Sequence, residues 1–153
     1  MLSLRSFKSD QRGATLVEFA IGATVFLTSM FAVIEFGRAL WAHNALTDAA
    51  RRGARYAVVH STADVDSVKN VVVYGDPAGG GNALIENLTT ANVNVTYSAA
   101  PEPPFGLDGG TVSVSITNYQ FQLILPLVPT SIQMPNYTTT LTGESVGLLP
   151  PIK

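Results

Sequence analysis

The dominant hydrophobic pattern of the chain is an unbroken run from Ala14 to Ile34. Each of its 21 positions is apolar or small except Glu18. A helix rises about 1.5 Å per residue, so the run would be about 31 Å long. This length matches the roughly 30 Å hydrocarbon core of a bilayer. The pattern therefore predicts a membrane-spanning helix over 14–34.

Apolar residues continue beyond this run at spacings of mostly one, three and four, which is typical of an amphipathic helix. The apolar positions are Leu40, Trp41, Ala45, Leu46, Ala49, Ala50, Ala54, Ala57 and Val58, and the polar side carries Asp48, Arg51, Arg52 and Arg55. Together the two patterns predict one helix from Ala14 to about Val59. Glu35 and Arg38, three residues apart, can pair on one face of it.

Three features of the amphipathic half bear on what packs against it. Trp41 fits either a packed core or an anchor at the membrane interface. The arginine cluster either lies in solvent beside Asp48 or contacts anionic lipid headgroups. Gly53 weakens the helix by about 1 kcal/mol relative to Ala, so we expect it to allow close packing on the β part.

The segment after the long helix predicts a second, shorter helix. Residues 61–64 fit a capping box, which places a helix over about 64–70 with Val65 and Val68 facing inward. The run 71–74 is rich in β-branched residues and is interpreted as a short strand or a buried extended segment. The glycine-rich stretch 75–82 predicts a loop, and it lacks the Gly-Lys-Ser/Thr ending of a phosphate-binding loop.

The distal half alternates with period two, which predicts β-strands. One strand is predicted over 92–97, with Val93, Val95 and Tyr97 on one face. A second strand follows, with Val112, Val114 and Ile116 on one face. A loop rich in Pro and Gly over 101–110 separates them.

The apolar phase flips after Asn118, to Tyr119, Phe121, Leu123 and Leu125. Such a flip across one residue predicts a bulge or a bend. Pro126 and Pro129 are expected to end that strand, and the Thr-rich stretch 137–146 suits an exposed edge strand.

The elements combine into a predicted α+β fold. An antiparallel sheet with one apolar face needs a cover, and the amphipathic helix is the available one. We therefore expect a long N-terminal helix, half transmembrane and half amphipathic, packed on a small antiparallel sheet. The chain divides into a leader over 1–13, a membrane segment over 14–34, a helix continuation over 35–60 and an extracytoplasmic α+β domain over 61–153.

Composition and charge exclude several classes of protein. Charged residues make up only 13% of the chain, where about a quarter is usual for a soluble domain. Residues 1–13 carry a net charge of +2 and residues 56–153 a net charge of −5. The acidic distal half offers no electrostatic footprint for nucleic acid. Since the chain has no Cys, disulfide scaffolds and thiolate metal sites are excluded.

Residues able to carry enzyme chemistry are scarce. The chain lacks a Cys nucleophile and the Gly-x-Ser-x-Gly and His-Glu-x-x-His motifs, and His43 and His60 stand unaccompanied in the sequence. We interpret both histidines as surface or partly packed residues. Asp64, Asp66 and Asp76 could hold calcium, but no EF-hand loop surrounds them. We expect no enzyme activity, no cofactor and no metal site.

Glu18 is the residue that distinguishes the N-terminus from a simple anchor. The apolar run is longer than the core of a cleaved signal peptide, which leaves an uncleaved anchor or a substrate of a prepilin-type peptidase. A carboxylate within the bilayer costs roughly 2.5–3.5 kcal/mol at the centre and less near the edge. Glu18 either reaches water or headgroups, or pairs with the free amine of a neighbouring subunit.

The stretch from Gly13 to Phe19 resembles the processing site of type IV pilin-like proteins: Gly before the cut, Glu at the fifth mature position, then an apolar helix. The remainder resembles the TadE-like family, the minor pilins or pseudopilins of tight adherence (Tad/Flp) pili. The similar stretches are Glu35-Phe36-Gly37-Arg38, Asp48-Ala49-Ala50-Arg51-Arg52-Gly53-Ala54-Arg55-Tyr56-Ala57 and Tyr119-Gln120-Phe121.

The resemblance implies a processing site at Gly13 and Ala14, cut by a prepilin peptidase, and a subunit-assembly site at Glu18 and Phe19. The expected partners are other pilin or pseudopilin subunits, the peptidase and the inner membrane, with the N-terminus cytoplasmic and the C-terminal domain outside. About a hundred residues follow the apolar helix, which favours a minor pilin over the main filament subunit. The alternative is an uncleaved, membrane-anchored β-domain that binds an extracellular ligand or a wall component.

Overall fold

The computed structural model describes residues 11–60, 63–99, 110–124 and 131–142. Two helices, α1 (Gln11–Val59) and α2 (Val65–Tyr74), precede a short 3₁₀ turn at Thr90–Asn92. The strands are β1 (Val93–Ala99), β2 (Gly110–Ile116), β3 (Gln120–Gln122), β4 (Ser131–Gln133) and β5 (Tyr137–Thr142). The predicted α+β fold, with a long N-terminal helix and a small antiparallel sheet, is confirmed.

The main sheet has the order β1-β2-β5, with both pairs antiparallel. Ile116 lies opposite Val93 on one side and Tyr137 on the other. The Thr-rich strand β5 is therefore at an edge of the described sheet, as predicted. β3 and β4 form a separate two-stranded sheet, and the sequence analysis did not predict β4.

The core lies where the second half of α1 crosses α2 and the main sheet. The predicted apolar face of α1 is confirmed at its centre, where Leu46, Ala49, Ala50, Ala54 and Ala57 are buried. These side chains pack against Val68 and Val72 of α2 and against Val112, Val114 and Ile116 of β2. Trp41 is 60% exposed, so the interpretation of Trp41 as a core residue is wrong for this chain.

The polar side of α1 faces away from the core. Arg51, Arg52 and Arg55 are exposed, and Arg51 lies 3.6 Å from Asp48. Arg52 has a structural role as well, because its Nε donates to the backbone oxygen of Val71 at 3.2 Å. This bond joins the polar side of α1 to α2.

Helix α2 extends further than the sequence predicted, and the expected strand over 71–74 is wrong. Val71, Val72 and Val73 are buried within the helix, so tertiary packing outweighs the strand preference of β-branched residues. The helix ends at Gly75, which adopts φ 78° and donates its backbone N–H to Val71. Asp64 occupies the N-cap position without a side-chain capping bond. Ser61 and Thr62 of the predicted capping box lie outside the described residues.

The predicted bend after β2 is confirmed at Asn118, which adopts φ 57°. The backbone N–H of Thr117 donates to Asn92 at 2.8 Å, and the Asn92 side chain donates to the carbonyls of Thr117 and Asn118 at 3.2 Å. The bend directs the chain out of the main sheet and into β3. Gly110, the last residue of the predicted loop over 101–110, begins β2. The rest of that loop, the strand end at Pro126 and Pro129, and residues 143–146 lie outside the described parts of the chain.

Candidate functional site

The first half of α1 makes no core. Of the residues from Gly13 to Ile34, all are exposed except Ala23, which is half-buried. The most exposed large apolar side chains include Phe19 at 73% and Leu16 at 69%. The apolar stretch of this helix is long enough to cross a bilayer, and 0% of it is buried within the described chain. An apolar helix without internal packing fits membrane anchoring.

Glu18 lies one helical turn after Ala14 and is exposed on this apolar surface. Within the described residues the ion pairs join Glu35 to Arg38 and Asp48 to Arg51, and neither involves Glu18. Two hydroxyls of the same segment are satisfied by their own helix, since Thr24 donates to Ala20 and Ser29 to Val25, both at 2.8 Å. The carboxylate of Glu18 receives no such bond from the described chain.

Small residues share the helix face that Glu18 occupies. Spacings of four, three and four residues along α1 place Glu18, Gly22, Val25 and Ser29 on one side of the helix. A Cβ added at Gly22 would meet nothing within 4 Å. Small side chains of this kind allow another helix to approach closely in lipid.

Gly13 and Ala14 lie inside α1, which begins at Gln11. A Cβ at Gly13 would also meet nothing within 4 Å, and no positive φ is found there. Glycine in a helix costs about 1 kcal/mol relative to alanine, so the described chain gains nothing from Gly13. All four predicted site residues, Gly13, Ala14, Glu18 and Phe19, thus lie within the first three turns of α1 and are exposed.

The N-terminal region combines an exposed apolar helix, a lone carboxylate near its start and a tightly packed second half. Residues 13–55 match the family model of TadE-like proteins. The match confirms the predicted resemblance over this part of the chain, to TadE-like proteins of the Tad pilus system. Neither the curated proteins nor the solved structures gave a significant match to the chain. The match covers the exposed half of α1 and most of its packed half.

A second cluster lies where the apolar run of α1 ends. Glu35 is only 6% exposed, and its Oε1 accepts from Arg38 at 2.7 Å and from the backbone N–H of Ile124 at 3.3 Å. The Arg38 guanidinium lies 5.2 Å from the centre of the Phe121 ring. The sequence predicted the Glu35–Arg38 pair, which is confirmed. The bond to Ile124, 89 residues away, had no sequence signal.

An open cavity of about 330 Å³ lies beside this cluster. Its lining includes Arg38, Trp41, Glu86, Tyr119 and Phe121. The Tyr119 hydroxyl donates to the Glu86 backbone oxygen at 2.8 Å, and burial, with a smaller contribution from the Glu86 charge, raises the pKa of Tyr119. The described lining of the cavity therefore combines apolar side chains with the protonated Tyr119, the Arg38 guanidinium and the Glu86 carboxylate, and it includes no Ser, Thr, Cys, Lys or His side chain.

His43 is exposed and His60 is half-buried, which agrees with the predicted surface or partly packed positions. His43 Nδ1 lies 3.0 Å from the Tyr137 hydroxyl, with the rings edge to face, and His60 stacks on Tyr56 with ring centres 3.7 Å apart. Burial raises the pKa of Tyr137. Among the described residues no group of three or more His, Cys, Asp or Glu side chains could hold a metal ion, and Asp64, Asp66 and Asp76 form no such group.

Proposed function

We propose that this TadE-like chain is a minor pilin or pseudopilin that takes part in assembling a Tad/Flp surface pilus. A prepilin peptidase hydrolyses the peptide bond between Gly13 and Ala14. The products are a leader of residues 1–13 and a mature chain with a free α-amino group on Ala14. The mature helix then packs against other pilin helices, and the pilus serves surface adhesion and biofilm formation.

The observation that carries this proposal is the exposure of the whole helix around Glu18. A helix of this length with no internal packing needs an outside environment, first lipid and then neighbouring helices. Gly22 and Ser29, on the face of Glu18, leave room for a close neighbour. A carboxylate on such a helix is tolerated best when it meets a positive charge, because water is excluded around it.

The new amine of Ala14 is the natural partner for Glu18. Four residues along a helix separate the two groups by about 6 Å of axial rise, and the carboxylate does not easily reach the terminus of its own straight helix. Pairing with the amine of an adjacent subunit is easier, and it fixes the axial register between subunits. Phe19, which is 73% exposed next to this pair, would pack against the same neighbour.

The distribution of charge supports an orientation in the inner membrane. The leader carries a net charge of +2, and basic residues flanking a membrane span favour the cytoplasmic side. The α+β domain would then lie outside. Arg38, Arg51, Arg52 and Arg55 on the far side weaken this charge bias, so the orientation needs a direct test by protease accessibility of the domain in spheroplasts.

Processing is tested by mass spectrometry of the chain isolated from its native host. The proposal predicts that the wild-type chain has a mature N-terminus at Ala14. It also predicts that a Gly13→Val variant is not cleaved and keeps its leader. An intact Met1 in the wild-type chain would overturn the proposal and favour an uncleaved, membrane-anchored β-domain that binds an external ligand.

The role of the carboxylate is tested with Glu18→Ala and a matched control, Thr24→Ala. Thr24 is also exposed on the apolar segment, but its hydroxyl is satisfied by Ala20 of its own helix. We expect both variants to be cleaved and only Thr24→Ala to enter filaments, scored by immunoblotting of sheared pili. Normal incorporation of Glu18→Ala would remove the pairing mechanism.

A further inference from the structure

The hairpin formed by β3 and β4 is poorly covered by the rest of the described chain. All three residues of β4 are exposed, and in β3 only Phe121 is buried. Ile132, directly opposite Phe121, is 51% exposed. An isolated two-stranded hairpin is marginally stable in water, so further contacts are expected to stabilise it.

A hydrogen bond at the loop end of the hairpin fixes its position along α1. The N–H of Ile124, just after β3, donates to Glu35 Oε1 at 3.3 Å. At the other end, the N–H of Met134, just after β4, donates to the backbone oxygen of Tyr119, just before β3, at 2.9 Å and joins the two strands to each other. Glu35 directly follows Ile34, the last residue of the apolar run. The hairpin is therefore held at the level where a bilayer around residues 14–34 would end.

Apolar side chains point into solvent at this level from both elements. Ile124 is 70% exposed on the hairpin, and Ile34 and Phe36 are 51% and 66% exposed on the helix. Trp41 is also exposed nearby along α1, and tryptophan is enriched at membrane–water interfaces.

We propose that the β3–β4 hairpin is a second membrane contact, with Ile124 and Ile132 lying in the interfacial region of the outer face of the bilayer. Lipid is favoured over a partner protein because the exposed isoleucines adjoin the end of the apolar run, whose own surface is suited to lipid. This contact requires membrane anchoring through α1 but neither cleavage nor filament assembly. It would hold the α+β domain against the membrane before assembly.

The test uses the absence of Cys from the chain, which gives every cysteine variant a single labelling site. Full-length Ile124→Cys and Ile132→Cys are labelled with an environment-sensitive fluorophore. Each is reconstituted into vesicles of phosphatidylethanolamine and phosphatidylglycerol, with or without lipids that carry a nitroxide quencher near the headgroup. Ile34→Cys at the end of the apolar run is the positive control.

The negative control is Ser98→Cys, an exposed position at the far end of β1. The proposal predicts that the nitroxide lipids quench the fluorescence at both hairpin positions nearly as much as at Ile34→Cys. It predicts no quenching at Ser98→Cys. Quenching at only one hairpin position, or at neither, would overturn it. A blue shift that grows with protein density but is insensitive to the lipid quencher would also overturn it, in favour of a second copy of the chain as the covering partner.

Discussion

Gly53 of α1 and Val72 of α2 lie in direct contact, and a Cβ atom built on Gly53 would overlap with Val72 Cγ2. The same Cβ would approach Val114 Cγ1 of the main sheet to 3.3 Å. Gly53 thus sits where three elements meet, namely α1, α2 and β2. The close approach predicted from the sequence is confirmed, and the nearest contact is with the second helix rather than with the sheet.

Gly53→Ala is expected to destabilise the domain even though alanine is the better helix former. The helix gains about 1 kcal/mol from the substitution, while overpacking of a filled core typically costs about 1–3 kcal/mol. Two walls of the site are β-branched valines, which adapt poorly, so we expect the loss to exceed the gain. Thermal unfolding of the full chain in detergent micelles measures the difference.

Gly37→Ala is the matched control, because Gly37 lies in the same helix and a Cβ there would meet nothing within 4 Å. This variant should unfold at the same temperature as the wild type or higher. A Gly53→Ala chain as stable as Gly37→Ala would show that α2 moves away at little cost and that the contact is not tight.

The sequence predicted those parts of the fold that depend on a long, regular pattern. Three such patterns repeat over many positions, namely the apolar run, the packed face of α1 and the alternation in β1 and β2. In these segments the structure that the local sequence prefers is also the one that tertiary packing favours. Val71 to Val73 were misassigned because a short β-branched run has the same composition in a strand and in a buried helix. Only the packing against α1 distinguishes the two.

The hairpin could not be predicted for a different reason. Its strands have three residues each, too few to show a period, and the Glu35–Ile124 bond uses a backbone N–H that any residue except proline provides. The placement of the candidate processing and assembly residues on one helix could be predicted because it is local, whereas their roles stay predictions. Gly13, Ala14, Glu18 and Phe19 are close in sequence and lie on one helix, so their spacing alone determines their geometry.

Removing the Glu35 side chain should release the hairpin from α1. Glu35→Ala loses a bond to Ile124 and the ion pair with Arg38, and hydrogen bonds to charged groups contribute about 1.5–3 kcal/mol. We expect the amide of Ile124 to exchange with solvent much faster in this variant, measured by hydrogen–deuterium exchange with mass spectrometry in nanodiscs.

Glu35→Gln separates the two interactions, since its amide oxygen can still accept from Ile124 while the ion pair is lost. We expect exchange at Ile124 to be intermediate between the wild type and Glu35→Ala. Unchanged exchange in Glu35→Ala would mean that the packing of Phe121 holds the hairpin on α1 without Glu35.

Two tyrosines, the half-buried Tyr97 and the buried Tyr119, should respond in opposite ways to loss of the hydroxyl. The Tyr97 hydroxyl is buried and has no hydrogen-bond partner among the described residues, whereas the Tyr119 hydroxyl donates to Glu86 at 2.8 Å. An unsatisfied buried polar group costs about 1–3 kcal/mol, and a satisfied bond contributes about 1 kcal/mol. Tyr97→Phe should therefore raise the unfolding temperature and Tyr119→Phe should lower it. A lower unfolding temperature for Tyr97→Phe would reveal a partner for its hydroxyl.

Alkaline pH should destabilise the α+β domain through its buried tyrosines. Burial raises the pKa of Tyr97, Tyr119 and Tyr137 above the ordinary value of 10.0, so the unfolded chain loses these phenolic protons before the folded chain does. The corresponding stability is fully present below pH 10.0 and is lost as the pH rises through the folded-state pKa values. Between about pH 8 and about pH 11, the unfolding temperature should fall less steeply with pH for the double variant Tyr97→Phe/Tyr137→Phe than for the wild type. Parallel curves would contradict the assignment of the alkaline destabilisation to these tyrosines.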